Sequence, residues 1–554
     1  MTSTSVRSAG FTGTLLLLLT TPASAGEAAI ASPDRYGADA AAKVLRAGGN
    51  AVDAAVAIAF TLAVTFPDAG NLGGGGFATV VIDGKSYFLD YRETAPHVAS
   101  AGMYLDASGN VIPGASTIGA RAAAVPGTVR GLWELHQRFG KLSWPMDLAP
   151  AITCAEGGFT PDKQMVERER GMEKVFGTHT NFSRYFHSLD SSSLFRQPQL
   201  AATLRRVAID GPKGFYQGHT ADLIVAEMRR GGGLIDRKDL AKYRAVWREP
   251  LEADWGGYHV VTAPLPSSGG VGLISLLKMK ADLASLFAGV PHNSPQYVHL
   301  LAEMEKRVFA DRAQFLGDPD FSHAPLTKLL SNEYIRRRAL EVNPTQRSAM
   351  SAVRPGTTEH HNTTHFSVVD QLGNAVSNTY TLNDDFGSGV VVTGAGFLLN
   401  NEMDDFSAKP GAPNLYGVVG GEANAIAPGK RPLSSMTPTI LTQAGHVALV
   451  IGTPGGSRIF TSVFQVIVNW HDFQMPLAQA VDAARIHHQL LPADTLYEEP
   501  YRTLEPATRA ELIARGYVVE NQGWNGDIQA VEVNGDHAVA ASDPRGWGEG
   551  RVIK

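Results

Sequence analysis

Thr363 stands where a polar loop meets a strand-like segment, a position from which a threonine could act as a nucleophile. Residues 342–361 contain few large apolar side chains, two prolines and a glycine, which indicates an exposed loop, whereas Thr364 to Asp370 (THFSVVD) is typical of a strand. A threonine hydroxyl needs an adjacent base, and cleavage of the preceding peptide bond would supply the residue's own α-amino group, with a pKa near about 8. By position alone a structural threonine is the commoner case, and Asn362-Thr363-Thr364 also fits the N-glycosylation pattern.

Two glycine-rich segments could bring backbone groups close to a reacting centre. Gly455-Gly456 lies in TPGGSR, and the sequence has no Gly-x-x-x-x-Gly-Lys-Ser/Thr pattern that would favour phosphate binding there. Backbone N–H groups held in such a turn can stabilise an oxyanion. Gly73 to Gly76 lacks the spacing of a dinucleotide fingerprint, so we expect close packing beside the site instead.

Histidine and cysteine raise two other chemistries, a metal centre and a thiol nucleophile. The histidines concerned are His360, His361, His365, His487 and His488. His361 and His365 have helix-compatible spacing, but they straddle the loop and the strand start, so we expect no metal site. Cys154 is the only cysteine, which excludes an internal disulfide, and its small apolar neighbours predict a packed helix rather than a nucleophile.

Periodic segments around these residues predict the elements that must position them. A hairpin is expected at Phe77–Ile82 and Ser86–Asp90, joined by Asp83-Gly84. Further patterns predict a strand at Ala375–Leu382 and helices at Ala38–Arg46, Ala51–Thr65, Gln296–Phe315 and Ser462–Trp470. Because helices and strands alternate in both halves, we expect an α/β fold in the form of a layered sandwich.

Composition and the first residues indicate an exported globular protein. Of the 554 residues, 44% are hydrophobic and 18% charged, and a net charge of -6 without long charged runs gives no reason to expect nucleic acid or a membrane surface as partner. Arg7, the apolar run Phe11–Leu19 and Ala23-Ser24-Ala25 form a signal-peptide pattern over residues 1–25. The apolar run is too short for a membrane anchor, so we expect maturation near Gly26 and a periplasmic or secreted protein.

Several strings, taken in order, carry a resemblance to a known family. They are NLGGGGF, DYRETAP, TTHFSVVD, YTLNDDFGSG, LLNNEMDDFSAKPG, RPLSSMTPT, GTPGGSRI and ASDPR, between about Ala31 and Arg545. The chain resembles the γ-glutamyltranspeptidase family. The resemblance implies a four-layer αββα N-terminal-nucleophile hydrolase made as a precursor. That precursor would cut itself after Asn362 into an associated large subunit, 26–362, and small subunit, 363–554.

Matching positions receive roles from the same resemblance. Thr363 would be the nucleophile, Thr381 would orient its hydroxyl, and Gly455 and Gly456 would form the oxyanion hole. The donor's α-carboxylate would be bound by Arg92, Ser434 and Ser435. Its α-ammonium would be bound by Asn383, Glu402 and Asp405, and Tyr416 would gate a lid over the pocket.

The expected reaction is ping-pong transfer of a γ-glutamyl group from glutathione or a related compound, through a Thr363 ester, to an amino acid, a peptide or water. No cofactor is expected. A glutaryl or cephalosporin acylase of the same superfamily is the nearest alternative, although the retained Asp405 disfavours a substrate without an ammonium group. A non-catalytic, uncleaved binding protein on the same scaffold is the alternative from another class.

Overall fold

The computed structural model describes residues 26–349, 353, 363–409, 421–490, 494–521, 523 and 526–554. The predicted leader, Asn362 and Tyr416 lie outside the described residues. Within these ranges, no helix combines the length and the apolar content that a membrane crossing requires.

Helices account for much of the described chain. Their bounds are Arg35–Arg46 (α1), Ala51–Thr65 (α2), Thr128–Phe139 (α3), Trp144–Gly157 (α4), Lys163–Phe176 (α5), Phe182–Phe186 (α6), Pro198–Asp210 (α7), Lys213–Tyr216 (α8), Gly218–Gly231 (α9), Arg237–Lys242 (α10), Gly269–Asp282 (α11), Ala284–Phe287 (α12), Pro295–Phe315 (α13), Leu326–Leu329 (α14), Asn332–Leu340 (α15), Arg458–His471 (α16), Leu477–Asp482 (α17) and Pro506–Ala514 (α18). Short 3-10 helices occur at Ala120–Ala122, Glu402–Asp405 and Glu422–Asn424.

The strands form two large antiparallel sheets and one small parallel pair. Their bounds are Ala28–Ser32 (β1), Gly75–Ile82 (β2), Lys85–Asp90 (β3), Val246–Arg248 (β4), Leu251–Trp255 (β5), Tyr258–Thr262 (β6), Thr364–Val369 (β7), Ala375–Thr381 (β8), Thr439–Gln443 (β9), His446–Gly452 (β10), Thr495–Glu498 (β11), Val518–Asn521 (β12), Gln529–Asn534 (β13), His537–Ser542 (β14) and Glu549–Ile553 (β15). One sheet has the order β15-β1-β7-β8-β2-β3-β4 and the other β14-β13-β10-β9-β6-β5, while β11 pairs with β12.

Three apolar cores show how these layers stack. A core of small and branched side chains, including Ala29, Val369 and Val450, lies between the two sheets. A second core joins the seven-stranded sheet to helices α1–α9, and a third joins the six-stranded sheet to α11, α13 and α16–α18. The molecule is therefore a mixed α/β structure in which two antiparallel sheets are packed face to face and flanked by helices, as the sequence predicted.

Local sequence explains the elements nearest the site. Asn50 and Asp53 form a capping box at the start of α2, whose fifteen residues are all buried. Asp83 and Gly84 adopt φ values of 51° and 71°, as a tight hairpin turn between β2 and β3 requires. The predicted hairpin, the two early helices and the helix ending at Phe315 are confirmed.

Two predictions needed correction. Helix α16 begins at Arg458, four residues earlier than predicted, directly after Ser457, which already has helical backbone angles. The loop before Thr363 is not simply exposed: Val342 and Val353 are buried, and Ser348 N donates to Glu303 on α13. The sequence did not indicate these contacts, because the loop contains too few apolar residues to form a recognisable pattern.

Cys154 lies half-buried on α4, as predicted. Burial raises the pKa of its thiol to about 11, so the reactive thiolate is disfavoured at neutral pH.

Candidate active site

Thr363 lies immediately before β7 and is almost fully buried. Its hydroxyl donates to Thr381 Oγ1, at the end of the neighbouring strand β8, over 3.3 Å. Asn383 N also donates to Thr381 Oγ1, at 2.8 Å, so the backbone turn after β8 holds this hydroxyl in place. The structure thus brings together the two threonines that the sequence paired as nucleophile and orienting group.

The glycine cluster at the start of β2 makes this arrangement sterically possible. A Cβ atom at Gly74 would lie 1.9 Å from Thr381 O, and one at Gly75 would lie 2.7 Å from Glu93 Oε2. Gly75 is the cross-strand partner of Thr381. The predicted close packing of Gly73 to Gly76 is confirmed, since a side chain at any of these positions would collide with β8 or with another neighbouring segment.

The turn with Gly455 and Gly456 connects β10 to α16. Its φ values of 135° and 52° are ones that glycine adopts at low cost. Strand β10 approaches β7 closely, because a Cβ atom at Gly452 would lie 2.3 Å from the ring of His365. The turn lies at the positive, N-terminal end of a fourteen-residue helix, a place that suits binding of an oxyanion.

Arg92, Glu402 and Asp405 meet in one buried cluster. The Arg92 guanidinium forms ion pairs with both carboxylates, through Nη1 to Glu402 and Nη2 to Asp405, and Nε donates to Pro432 O at 3.3 Å. Burial alone would lower the pKa of Arg92, but the surrounding carboxylates outweigh it and raise that pKa. Burial raises the pKa of Asp405, although Arg92 opposes the shift. The predicted cation and anions of the donor site therefore pair with one another.

Glu93 belongs to this cluster and was not predicted. It is fully buried, 3.7 Å from Arg92 Nη1, and neither carboxylate oxygen has a hydrogen-bond partner among the described residues. Burial raises the pKa of Glu93 to about 7 against the opposing effect of Arg92, and burial also raises that of Glu402. We therefore expect this carboxyl pair to hold a proton near neutral pH. The sequence feature that could have identified Glu93 is its position next to Arg92 in DYRETAP.

The remaining predicted donor residues line the same region. Ser434 and Ser435 follow Pro432, whose carbonyl accepts from Arg92. Ser434 Oγ accepts from Met436 N at 3.1 Å. Asn383, with a φ of 81°, donates through Nδ2 to Asn401 O at 3.1 Å, one residue before Glu402. The chain from 398 to 405 thus crosses between the nucleophile's strands and the Arg92 cluster.

Of the histidines that suggested a metal site, His365 and His487 occupy separate buried networks, while His360 and His361 lie outside the described residues. His365 contacts Thr379 Oγ1 at 2.8 Å and Ser367 Oγ at 3.1 Å, whereas His487 contacts Ser457 and Thr461 under the glycine turn. Burial lowers the pKa of both His365 and His487 to about 3, so both rings are neutral. In the described part of the chain, the His/Asp groups with ligand-like spacing are Asp53–His136–Asp147 and His97–Asp236–Asp239, which include neither ring.

Taken together, a paired threonine hydroxyl, a helix N-terminus and a buried cluster with both signs of charge suit acyl transfer from a zwitterionic donor.

Comparison with known proteins agrees with this geometry. The profile of the gamma-glutamyltranspeptidase family matches residues 37–553. A glutathione hydrolase proenzyme of Pseudomonas aeruginosa is 60% identical over 528 residues, covering 95% of this chain and 94% of its own. A solved gamma-glutamyltranspeptidase from Pseudomonas nitroreducens, complexed with L-DON, is 55% identical, with a TM-score of 0.58, and covers 58% of this chain and 97% of its own.

A solved cephalosporin acylase from Bacillus halodurans is 26% identical, with a TM-score of 0.83, and covers 98% of this chain and 99% of its own. The acylase thus shares the whole fold, while the sequence similarity is far greater to the glutathione hydrolase proenzyme. With a family profile that spans nearly the entire chain, the protein belongs to the gamma-glutamyltranspeptidase family.

Proposed function

We propose that this protein is a γ-glutamyltransferase with glutathione hydrolase activity, activated by cleavage of its own chain between Asn362 and Thr363. The observation that carries the proposal is the Thr363–Thr381 hydroxyl pair at the start of β7, beside a buried pocket that contains Arg92 and Asp405. The high identity to a glutathione hydrolase proenzyme supports it.

Self-cleavage would use the same hydroxyl as turnover. Thr363 Oγ1 attacks the Asn362 carbonyl carbon, the peptide C–N bond breaks, and the nitrogen leaves as the α-amine of Thr363. Water then hydrolyses the resulting ester and releases the Asn362 carboxylate. The products are a large subunit, 26–362, and a small subunit, 363–554, whose first residue carries nucleophile and base together.

Each later turnover follows two acyl-transfer steps. The Thr363 amine accepts the hydroxyl proton while Oγ1 attacks the γ-carbonyl carbon of the donor, and the N–H groups of Gly455 and Gly456 stabilise the oxyanion. The leaving amine takes the proton as the γ-amide bond breaks. Water, or the amine of an amino acid or peptide, then attacks the ester and frees Thr363.

Donor recognition would proceed by exchange of ionic partners. The donor's α-carboxylate replaces Glu402 and Asp405 at Arg92 and accepts from Ser434 and Ser435, while its α-ammonium pairs with the released carboxylates and Asn383. A γ-glutamyl group carries both charges, so no buried charge is left alone. A glutaryl group would satisfy Arg92 and leave the carboxylates unpaired, which is costly in a buried site.

Comparing two chromogenic amides tests the substrate class. The purified protein should hydrolyse γ-glutamyl p-nitroanilide with a higher kcat/KM than glutaryl p-nitroanilide, and it should release glutamate from glutathione. A preference for the glutaryl compound would reassign the protein as an acylase.

A denaturing gel tests self-cleavage. From 59.1 kDa over 554 residues, the fragments should have masses of about 36 and 20 kDa. Thr363→Ala should yield a single uncut chain without amidase activity. A persistent single band for the unsubstituted protein would instead indicate an uncleaved binding protein.

Export and the lid belong to the same proposal. Removal of residues 1–25 would leave the first strand intact, because β1 begins at Ala28. Tyr416 would close over the bound glutamyl group and limit access of water. Edman sequencing of the large subunit from a secreting host should begin near Gly26, and the mature protein should be found in the periplasm or medium. An N-terminus that retains the leader would contradict export by this signal.

A further inference from the structure

Arg312 is a second buried guanidinium at the donor pocket, and no sequence motif pointed to it. It lies near the end of α13, with 7% of its surface exposed. Its Nε donates to Ser268 Oγ at 2.9 Å, and its Nη2 donates to Ser435 Oγ at 3.2 Å. Ser435 is one of the serines expected to bind the donor's α-carboxylate.

The hydrogen bonds around Ser268 have a defined direction. Ser268 Oγ donates its only hydroxyl hydrogen to Ser434 O at 2.7 Å, and it accepts from Arg312. Ser268 therefore cannot donate to Ser435, whose Oγ lies 3.4 Å away. Ser268 therefore links Arg312 to the backbone carbonyl of Ser434.

Direction at Ser435 follows from the same reasoning. Arginine is a donor only, so Ser435 Oγ must accept from Arg312. Its own hydrogen then has two places to go, the long 3.4 Å contact with Ser268 or an acceptor in the pocket. A carboxylate is the stronger acceptor, because hydrogen bonds to ionised groups are shorter and stronger than neutral ones. Ser435 is thus held as a hydrogen-bond donor towards an anionic ligand.

We propose that Arg312 is the positioning residue that orients the Ser435 hydroxyl to donate to the α-carboxylate of the γ-glutamyl donor, with Ser268 as its anchor. This inference rests on the proposed function of the pocket. Arg312 acts through Ser435 and contacts no reacting atom. Its charge also favours an anion at this wall of the pocket, because Arg92 is already paired with Glu402 and Asp405 and lies 3.7 Å from Glu93.

A double-mutant cycle on self-cleaved enzyme tests the proposal. Arg312→Lys keeps the positive charge, but lysine has no planar guanidinium group that could donate to Ser268 and Ser435 at the same time. With γ-glutamyl p-nitroanilide, it should lower kcat/KM about tenfold, mainly by raising KM. In a Ser435→Ala background, the same substitution should cost less than about twofold, because the hydroxyl that it orients is gone.

The outcomes separate positioning from general destabilisation. An equal loss in both backgrounds, or a loss confined to kcat, would overturn the proposal. Should Arg312→Lys fail to accumulate as folded protein, Ser268→Ala replaces it in the cycle with the same expected non-additivity. Arg338→Lys, a change in a partly buried arginine of α15 that is ion-paired with Asp311 on α13, is the control and should leave KM unchanged.

Arg92→Lys distinguishes this inference from the proposed function. If Arg92→Lys leaves KM for the γ-glutamyl amide unchanged, the assignment of the whole donor pocket fails. If Arg92→Lys raises KM while the Arg312 effect is the same in both backgrounds, the role of Arg312 alone fails.

Discussion

The donor-site charges are each other's partners, and this determines what single substitutions will do. Arg92 is paired with Glu402 and Asp405 inside a cluster that also buries Glu93. Removing Arg92 leaves the carboxylates buried without a counter-charge, and removing one carboxylate changes how the others pair with Arg92, so the measured cost differs from that of the lost contact. Changes in selectivity are therefore a cleaner measure of each residue's role than loss of activity.

Asp405→Asn should relax selectivity for the donor's ammonium group. The ratio of kcat/KM for γ-glutamyl over glutaryl p-nitroanilide should fall about 10- to 100-fold, which corresponds to loss of one charged hydrogen bond of about 1.5–3 kcal/mol. Asp404→Asn is the control, because the Asp404 carboxylate accepts instead from Ser116 Oγ at 2.5 Å. An unchanged ratio for Asp405→Asn would remove it from the ammonium site.

Thr381→Val tests the effect of the Thr381 hydroxyl without changing the volume of the side chain. Valine keeps the volume but loses the contact with Thr363 and the acceptor for Asn383 N. We expect kcat to fall about 100-fold, as is typical for loss of one activating contact, and self-cleavage to slow on a time-course gel. Thr381→Ser should stay within about tenfold of the unsubstituted enzyme. Equal activity of the Val and Ser variants would contradict an orienting hydroxyl.

At the scale of elements, two junctions position the chemistry: the β7–β8 pair against the glycines of β2, and the β10–α16 turn. Buried polar side chains stabilise each of these junctions. His365 bridges Thr379 and Ser367 beside β10, and His487 supports Ser457 at the first turn of α16. These junctions tolerate neither added volume nor added charge.

Acid should destabilise the protein through these histidines. Burial lowers the pKa of His365 and His487 from 6.5 to about 3, so the unfolded chain binds more protons in this interval. Their contribution is therefore fully present above about pH 6.5 and is lost as pH falls towards 3, at about 1.4 kcal/mol per pH unit for each histidine. Urea unfolding between pH 7 and 4 measures it.

The variant His487→Gln should flatten that pH dependence by about 1.4 kcal/mol per pH unit. The highly exposed His537 provides the control, and His537→Gln should leave the slope as it is. An unchanged slope for His487→Gln would mean that this ring is not held neutral.

Gly74→Ala should distort the strand that carries Thr381. The added Cβ atom would lie 1.9 Å from Thr381 O, a backbone atom that cannot move alone. We expect a loss of about 3 kcal/mol or more in stability together with reduced kcat. Gly171→Ala on α5 has nothing within 4 Å and should stabilise by about 0.5–1 kcal/mol. A melting temperature for Gly74→Ala equal to that of the unsubstituted protein would contradict the close packing.

At the scale of the molecule, the proposed cleavage point divides the chain but not the sheets. Strand β1, from the 26–362 part, lies between β7 and β15, both from the 363–554 part. In the same way β2 pairs with β8, and β6 pairs with β9. Each part alone would expose strand edges and apolar faces from both sheets.

The two fragments should therefore remain associated after cleavage. With an affinity tag at the C-terminus, the large fragment should be retained with the small one in native buffer at a 1:1 ratio. It should be lost only in denaturant. Recovery of the small fragment alone from native buffer would contradict the shared sheets.

Much of the local structure was predictable from the sequence, because long periodic segments and turn residues act over a few positions. The helix ending at Phe315 and the hairpin around Asp83-Gly84 are examples. The start of α16 was missed because the residues just before it, Gly455, Gly456 and Ser457, are typical of a turn and carry little helical signal. Arg312 was missed because nothing in its neighbourhood indicates which distant residues it meets. Glu93 was missed although it follows Arg92 in DYRETAP, because the sequence does not show that its carboxylate is buried in the same cluster.

The sequence by itself determined the reaction class, through a threonine at a loop–strand boundary and ordered motifs that resemble one family. Only the tertiary structure decided how the charged groups are paired. Arg92 and Asp405 are 313 positions apart, and Arg312 and Ser435 are 123 apart. Burial, ion pairing and the direction of a hydroxyl depend on such distant neighbours, so they exist only once the two sheets have brought these segments together.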